Sequence, residues 1–286
     1  MATRRFGVST HLYHAQRLSR DHLLEIAAHG FETVELFATR SHFDYDNPAT
    51  VADLQQWLAE AGLTLHSVHA PVGERFSGAG WSGLWSLASS DADARAIAVR
   101  ETEAALHVAR RIPIDVFVMH LGLPRFERRG DGRAGPGDTR AAARRSIEEL
   151  HRAAGPLDVR IALEVIPNEL SRAGSLVHFI EEDLEGLDVG VCLDFGHAHI
   201  DGDLVETIET VSEHLITTHV HDNRGRTDDH LMPFDGTIDW PGALTAVQKI
   251  GYEGVLLFEI GAQGPVKATL KKAQQVRAKI EQLLAT

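Results

Sequence analysis

Imidazoles and carboxylates are concentrated in one stretch near the carboxyl end of the chain, residues 216–240, ITTHVHDNRGRTDDHLMPFDGTIDW. Its candidate ligands are His219, Asp228 and His230. Neutral imidazole nitrogens and ionised carboxylate oxygens are ligands that first-row divalent metal ions favour. Asp228 and His230, separated by one residue, can approach a single ion from two positions of a turn. We therefore interpret this stretch as one wall of a metal site and ask which elements supply the other walls.

Short apolar runs alternate with amphipathic helical stretches along the chain, which is typical of a parallel sheet with helices packed outside it. Strands are predicted at 6–10, 33–37, 63–69, 115–120, 160–166, 189–194, 216–221 and 254–260. A helix is predicted after each of them. Eight such repeats in a chain of this length predict a single (β/α)8 TIM barrel over residues 1–286. An open doubly wound sheet is the alternative, but it does not usually need eight units.

Candidate ligands fall at or just beyond the carboxyl ends of six successive predicted strands. In a closed barrel these ends surround one mouth, so their side chains converge. Glu164 and Glu259 are the most informative, because each places a carboxylate in an apolar strand, where an unpaired charge is costly and a bound cation would offset that cost. The complete set of predicted metal ligands is His69, His120, Glu164, Asp194, His197, His219, Asp228, His230 and Glu259.

The composition excludes several classes of protein. The chain has 286 residues and a formal net charge of −13 with His neutral, which disfavours attraction to phosphate backbones, so DNA is not an expected partner. Its hydrophobic content of 43% is sufficient for a sizeable core. No lysine precedes Lys249, so no lysine is well placed for Schiff-base chemistry or for a P-loop.

The single cysteine, Cys192, lies in the apolar run VGVCLDF. A single cysteine excludes a disulfide framework and fits a reducing compartment. Its apolar neighbours predict that it is a small buried side chain. The first residues, MATRRFGVST, contain no apolar signal segment, and no run of about 18 apolar residues occurs. We therefore expect a cytoplasmic protein that is neither secreted nor inserted into a membrane.

Three further residues are candidates for substrate binding. His11 ends the first predicted strand, where a packing role is equally expected. Arg224 could neutralise an anionic substrate. Trp81 lies in the stretch 72–90, which follows a predicted strand and therefore lies on the active face of a barrel. Together with the basic segment 126–133 of the next long loop, it is expected to form a lid or a substrate clamp.

Histidine occurs 17 times, more often than the predicted metal site requires. His221 and Asp222 lie beside the ligands and are expected to orient them. The histidines expected on the surface or on helices are His42, His107, His151, His178 and His199.

An ordered series of short segments resembles the motifs of the xylose isomerase-like superfamily, which also contains the endonuclease IV phosphodiesterases. The segments are SVHAP (67–71), VMHLG (118–122), ALEVIPN (162–168), CLDFGHAH (192–199), HVHDNRG (219–225), DDH (228–230), GTIDW (236–240) and LFEI (257–260). The resemblance covers nearly the whole chain and implies the barrel fold. Val72 and Gly73 follow HisAlaPro where the DNA-repair members carry bulky residues that enter the duplex, so the chain departs from them there.

Endonuclease IV-like members hold three zinc ions, and the resemblance carries their nine ligands onto the nine residues given above. The implied sets are His69, His120 and Glu164 for one ion; Glu164, Asp194, His219 and Glu259 for a second, with Glu164 bridging; and His197, Asp228 and His230 for a third. In the sugar isomerases and epimerases of the superfamily, one ion on the equivalents of the second set is sufficient. In these enzymes the two glutamates also move protons, and the equivalent of His197 contacts the substrate.

Two activities are expected. The first is hydrolysis of a small phosphoester, because clustered divalent ions stabilise both the attacking and the leaving oxygen of an in-line displacement and all nine ligands are present. The second is isomerisation or epimerisation of a sugar or sugar phosphate, with Glu164 and Glu259 as the acid/base pair. Ligand count makes the hydrolase our first expectation. Across the two activities the predicted catalytic residues are Glu164, Glu259 and His197.

The expected cofactor is one to three zinc, manganese or iron ions per chain, because the ligands include no thiolate. The expected partner is a small phosphorylated or polyhydroxylated molecule, and a homo-oligomer is left open. A barrel with purely structural metals is disfavoured, because such sites fill every coordination position with protein ligands. A rim of histidines and carboxylates beside two long loops is more typical of an open site.

Overall fold

Eight parallel strands form a closed barrel in the order in which they occur along the chain. The computed structural model describes residues 4–77, 80–125 and 138–285. The strands in chain order are β1 (Phe6–Ser9), β2 (Thr33–Phe37), β3 (Thr64–His69), β4 (Gly73–Ser77), β5 (Gly80–Leu84), β6 (Val116–Met119), β7 (Arg160–Glu164), β8 (Val189–Asp194), β9 (Leu215–Val220) and β10 (Leu256–Phe258). Strands β4 and β5 pair with each other in a separate antiparallel hairpin, and the other eight close the barrel through pairing of β1 with β10. The predicted (β/α)8 barrel is therefore confirmed.

Helices surround the barrel and cover the outer faces of its strands. Those of the described residues are α1 (Arg20–Ala28), α2 (Pro48–Ala61), α3 (Ala92–Leu106), α4 (Arg140–Ala154), α5 (Ala173–His178), α6 (Phe195–Asp201), α7 (Leu204–Thr210), α8 (Trp240–Lys249) and α9 (Val266–Leu284). Local sequence sets their ends, as α2 illustrates: the Asn47 side chain accepts from the Ala49 amide, proline occupies the first turn, and Gly62 ends the helix with φ 67°. None of these helices is long and apolar enough to cross a membrane.

The structure adds two elements that the sequence did not predict. Part of the stretch 72–90, expected to be a loop, is the hairpin β4–β5, whose glycine-rich sequence lacks the alternation of β-branched residues that identifies strands. Helix α6 follows Asp194 directly at the mouth of the barrel. The helix predicted over 174–183 is α5 followed by a π-helical segment, Phe179–Asp183. The basic segment 126–133 lies outside the described residues.

One extra residue in β3 changes which side chains face the barrel interior. Leu65 and Ser67 pair with consecutive residues of β2, so His66 is unmatched. His66 and Ser67 both face inward, because His66 Nε2 lies 3.3 Å from Thr217 Oγ1 and Ser67 donates to Glu35 at 2.8 Å. Such an insertion lets two consecutive side chains face the same side. Alternation beyond the insertion then directs the last residue of β3 into the mouth.

Strand β9 contains a second insertion of the same kind. Leu215 and Thr217 pair with consecutive residues of β8, which leaves Ile216 unmatched. Ile216 packs against a small apolar cluster that includes Cys192, while Thr217 meets the extra residue of β3. Two residues later, the same alternation directs His219 into the interior.

The interior of the barrel is divided into an apolar and a polar part. A small cluster formed by Val116, Val118, Ala162 and Cys192 is separate from the large core between strands and helices. Cys192 is fully buried, as its apolar surroundings in the sequence predict. Above this cluster, towards the carboxyl ends of the strands, the interior side chains become carboxylates and imidazoles. The apolar cluster therefore forms the base on which the polar mouth is built.

His42, expected on the surface, is instead fully buried, and this position was wrongly predicted. Its Nδ1 lies 2.6 Å from the Gln16 carbonyl oxygen, while its Nε2 has no hydrogen-bond partner among the described residues. Burial lowers the pKa of this imidazole to about 4, and the Gln16 carbonyl only partly opposes the effect. This burial could not be predicted from the sequence, because a single histidine in a polar loop has no periodicity.

The buried His42 is expected to make folding pH-dependent. Its folded-state pKa is lowered, so below about pH 6.5 the unfolded chain binds the extra proton and stability falls as pH falls towards 4. At about 1.4 kcal/mol per pKa unit, the loss between pH 7 and 4.5 is about 2–3 kcal/mol. His42→Asn keeps a donor for the Gln16 carbonyl but does not titrate. Between pH 7 and 4.5, the variant should therefore lose about 2–3 kcal/mol less unfolding free energy in urea than the unchanged protein loses. Equal losses in the two proteins would contradict this assignment.

Candidate metal centre

Four buried residues meet at the mouth of the barrel. Glu164 ends β7, Asp194 ends β8, His219 lies in β9 and Glu259 follows β10. Each is at most 3% exposed. One ligand atom from each residue can be chosen so that all four lie within 4.8 Å of one another. Adjacent parallel strands end at the same level, which is why residues so distant in sequence converge here.

The orientation of His219 leaves a group of acceptors facing one another. Its Nε2 lies 3.1 Å from Glu35 Oε2 and donates to it, so Nδ1 is the nitrogen that is available to an ion. Nδ1 lies 3.4 Å from Glu164 Oε2, 3.5 Å from Glu259 Oε2 and 3.8 Å from Asp194 Oδ2. It makes no hydrogen bond to the described residues. Three carboxylates gathered around one imidazole nitrogen repel one another unless a positive charge lies between them, so this donor set fits a divalent metal ion.

A second group shares Glu164 with the first. His69 Nε2 and His120 Nε2 lie 3.1 and 3.2 Å from Glu164 Oε2. The Nδ1 of His69 lies 2.7 Å from the Ala70 carbonyl oxygen and must donate to it, which leaves Nε2 as the potential ligand. The three ligand atoms lie within 4.8 Å of one another. These contacts fit the predicted bridging position of Glu164.

The third predicted set is in contact but is arranged differently. His197 Nε2 and His230 Nε2 lie 3.2 and 2.9 Å from the same oxygen, Oδ2 of Asp228. The groups of described residues whose ligand atoms all lie within 4.8 Å include the first two sets but not this one. In the structure Asp228 therefore acts as the common acceptor for two histidines, and metal binding by this set stays a prediction.

Glu164 and Glu259 differ in proton affinity although both are buried. Burial raises the pKa of Glu164, but the facing His120 and His219 bring it well below its ordinary value. Burial also raises the pKa of Glu259. Because this effect is larger than the opposing effects of His219 and His230, the pKa of Glu259 lies above its ordinary value. In this arrangement Glu164 is the more acidic carboxyl group and Glu259 the more basic one.

Sequence reasoning missed Glu35, which faces this centre from β2. The residue is fully buried and contacts Ser67 and His219 through one oxygen. The sequence contains a signal for Glu35, because this carboxylate lies in the apolar run TVELF, as Glu164 and Glu259 lie in apolar runs. It was overlooked because it lies in the middle of its strand, whereas candidates were sought at strand ends.

The carboxylate of Asp194 faces the centre and also forms hydrogen bonds with neighbouring residues. It caps α6 by accepting from the His197 amide at 2.6 Å, and His221 Nε2 approaches its carboxylate at 3.0 Å. Gly196 makes room for that imidazole, since a Cβ at this position would lie 1.9 Å from His221 Cε1. These contacts fit the expected orienting role of His221.

Above the centre lies a pocket of about 580 Å³, a volume that includes the solvent at its mouth. Its lining contains Glu164, Glu259 and other predicted ligands as well as an aromatic wall formed by Phe37, Trp81 and Trp85. Of the predicted substrate-binding residues, His11 and Trp81 line this pocket. Arg224 is 63% exposed and is not among the described residues that line it.

The closed (β/α)8 barrel has buried histidines and carboxylates beneath a pocket at the carboxyl ends of its strands, which places the chain among TIM barrels with a candidate site at the mouth. Comparison with known families makes this more specific. The model of the xylose isomerase-like TIM barrel family matches residues 23–283. The chain therefore belongs to the xylose isomerase-like TIM-barrel family, as the sequence motifs predict.

Relatives and solved structures of similar shape are consistent with this assignment. An uncharacterised protein of Methanocaldococcus jannaschii is 26% identical over 263 residues, which cover 89% of this chain and 83% of that protein. An inosose isomerase of Bacillus subtilis is 27% identical over 146 residues, 46% of this chain and 51% of the isomerase. A D-tagatose 3-epimerase-like protein superposes with a TM-score of 0.77 at 24% identity, covering 98% of both chains. An L-ribulose 3-epimerase also has a TM-score of 0.77, at 18% identity, covering 99% of this chain and 95% of the epimerase.

Proposed function

We propose that the protein is a divalent-metal-dependent isomerase or epimerase of a small polyhydroxylated carbonyl compound. The observation that carries the proposal is the position of Glu164 and Glu259, which belong to the four-residue metal set and also line the pocket. A pair of carboxylates in that position can transfer protons to and from a bound substrate. The likeness to an inosose isomerase and to sugar epimerases favours this activity over the phosphoester hydrolysis that ligand count first suggested.

Glu164, Asp194, His219 and Glu259 would hold the ion. When bound there, a divalent ion acts as a Lewis acid that polarises a carbonyl oxygen and lowers the free energy of the negative charge that develops on it. The residues of the chain supply the remaining functions, which are binding of the substrate, orientation of the two carboxyl groups and transfer of the proton.

Proton transfer requires one carboxylate and one carboxylic acid. An ionised carboxylate removes the proton from the carbon beside the substrate carbonyl, and the electron pair of the broken C–H bond moves towards the carbonyl oxygen to give an enediolate. The second carboxyl group returns a proton to the opposite face of that carbon or to its neighbour. The opposite directions of the pKa shifts of Glu164 and Glu259 support such a pair, with Glu259 the carboxyl group that holds a proton more readily.

His197 and the aromatic wall would place the substrate between these groups. His197 Nδ1 lies 3.1 Å from Glu164 Oε1 and its ring lines the pocket, so it can orient the carboxylate and contact a substrate hydroxyl. Phe37, Trp81 and Trp85 offer apolar surface for the C–H face of a sugar or cyclic polyol. The described part of the pocket lining contains no arginine or lysine, which supports a neutral polyhydroxylated substrate.

Phosphoester hydrolysis is the second candidate function, because one specific observation favours it. His69, His120 and Glu164 form an additional metal-binding group beside the first, and an isomerase with one ion does not need it. Two adjacent ions would suit an in-line displacement at phosphorus. The two candidates differ in the number of ions per chain and in the bond that is broken.

Solvent exchange followed by NMR separates these activities. The protein would be loaded with Mn²⁺ or Zn²⁺ and incubated in D₂O with D-fructose, D-tagatose and an inosose, each in turn. We expect deuterium at the carbon beside the carbonyl of at least one of these compounds, and no exchange with Asp194→Asn protein. Absence of exchange, together with phosphate release from phosphoesters and two or three ions per chain, would replace the proposal with the hydrolase.

A further inference from the structure

Glu35 is a buried carboxylate in the interior of the barrel that neither candidate reaction uses. It is fully buried. Its Oε2 accepts a hydrogen bond from Ser67 Oγ at 2.8 Å and lies 3.1 Å from His219 Nε2. Its Oε1 has no hydrogen-bond partner among the described residues. The residue therefore faces the opposite edge of the imidazole from the one that faces Glu164, Glu259 and Asp194.

The partners of Glu35 do not account for its burial by themselves. An imidazole N–H and one hydroxyl group offset only part of the cost of burying a carboxylate. A cation on the far side of His219 would polarise the ring and make its Nε2–H a stronger donor, which supplies the missing compensation.

We propose that Glu35 is a positioning residue for the metal centre: it holds His219 in the Nε2–H tautomer and thereby keeps Nδ1 free and directed at the ion. Ser67 in turn fixes the Glu35 carboxylate. The inference rests on the proposed metal-dependent function and deepens it by assigning the residue that orients one of the four ligands. Removal of such a partner typically costs roughly 10–100-fold in metal affinity.

Calorimetric titration of the metal-free protein with Mn²⁺, and separately with Zn²⁺, tests the affinity. Glu35→Gln should bind roughly 10–100-fold more weakly than the unchanged protein. Ser67→Ala, which leaves the carboxylate in place, should show a smaller loss in the same direction. Glu32→Gln is the matched control, because this exposed glutamate lies three residues before Glu35 and should not change the affinity. Unchanged affinity in Glu35→Gln overturns the proposal.

The tautomer of His219 provides a readout that does not require metal. In metal-free protein labelled with ¹⁵N-histidine, held at a pH high enough for the His219 ring to be neutral and with its resonances assigned by substitution, NMR should show a proton on Nε2 and none on Nδ1. Glu35→Gln should shift the ring towards the Nδ1–H tautomer. An Nδ1–H ring in the unchanged protein, or the same tautomer in both proteins, would overturn the assignment.

The two measurements separate failure of this inference from failure of the proposed function. If the unchanged protein binds neither ion, the metal-dependent function is wrong, and the tautomer still shows whether Glu35 orients His219. If it binds metal and Glu35→Gln binds equally well, only the inference is wrong. If Glu35→Gln does not fold, Ser67→Ala takes its place in both measurements, and unchanged affinity with an unchanged tautomer again counts against the inference.

Discussion

Glu259→Gln protein is expected to interconvert its substrate about 10²–10⁴-fold more slowly than the unchanged protein, the usual contribution of a general acid or base. Glutamine has nearly the shape of glutamate and keeps an oxygen for the metal, but it neither accepts nor donates the proton at neutral pH. The measurement is kcat for epimerisation or isomerisation, with metal content per chain determined on the same samples. Glu253→Gln, which changes an exposed glutamate before the same strand, is the matched control.

Proton exchange gives this experiment a sharper form. With Glu164 intact, the Glu259→Gln protein should still exchange the substrate proton with solvent on the face that Glu164 serves. Interconversion is then lost while deuterium uptake by one of the two isomers persists. Full interconversion with normal metal content would contradict the paired-carboxylate mechanism, and loss of the metal itself would assign Glu259 to metal binding alone.

Asp222→Ala is expected to cause the largest loss of stability, about 4 kcal/mol or more of unfolding free energy. The buried carboxylate of Asp222 accepts from the amides of Asn223, Phe234 and Ile238 at 2.9, 3.0 and 3.2 Å and from Trp240 Nε1 at 2.8 Å. Alanine would leave these four donors without their acceptor, and each unsatisfied buried donor costs about 1–3 kcal/mol. Urea unfolding measures the loss.

Asp222→Asn separates hydrogen bonding from space filling. The amide keeps one acceptor oxygen, so we expect a loss smaller than that of alanine but larger than that of Asp229→Ala, the partly exposed neighbouring control. The hydrogen bonds of Asp222 also brace the loop that carries Asp228 and His230, so the alanine variant should hold metal less firmly. A loss below about 1 kcal/mol would show that the loop does not depend on this carboxylate.

The architecture could be predicted from sequence because each structural unit is locally encoded. Alternating apolar runs and helical periodicity identify strands and helices, and caps such as Asn47 and Gly62 define helix ends. Eight repeats then leave little choice of topology. Strand ends were less predictable: β10 covers three residues, Leu256–Phe258, whereas the apolar pattern extends over 254–260. Backbone pairing, which the pattern does not specify, determines where a strand ends.

The sequence was sufficient to predict which ligand residues meet in the candidate site but not how they contact one another. Strand-end position brought together Glu164, Asp194, His219 and Glu259, because ends of parallel strands meet at one mouth. Sequence position could not show that two imidazoles would bind the same oxygen of Asp228, since that depends on loop conformation. Asp222 contacts loop amides and Trp240 and no predicted ligand side chain, so its expected orienting role acts through the loop that carries Asp228 and His230.

The extra residues in β3 and β9 add inward-facing side chains below the mouth of the barrel. A regular strand alternates sides, whereas His66 and Ser67 both face the interior, as do Ile216 and Thr217. Beyond the insertions, pairing opposite Phe37 and Asp194 sets the side to which His69 and His219 point. Loss of His66 or Ile216 would restore regular alternation and leave both imidazoles at the mouth, so the insertions determine what fills the barrel beneath the candidate metal centre and not which residues reach it.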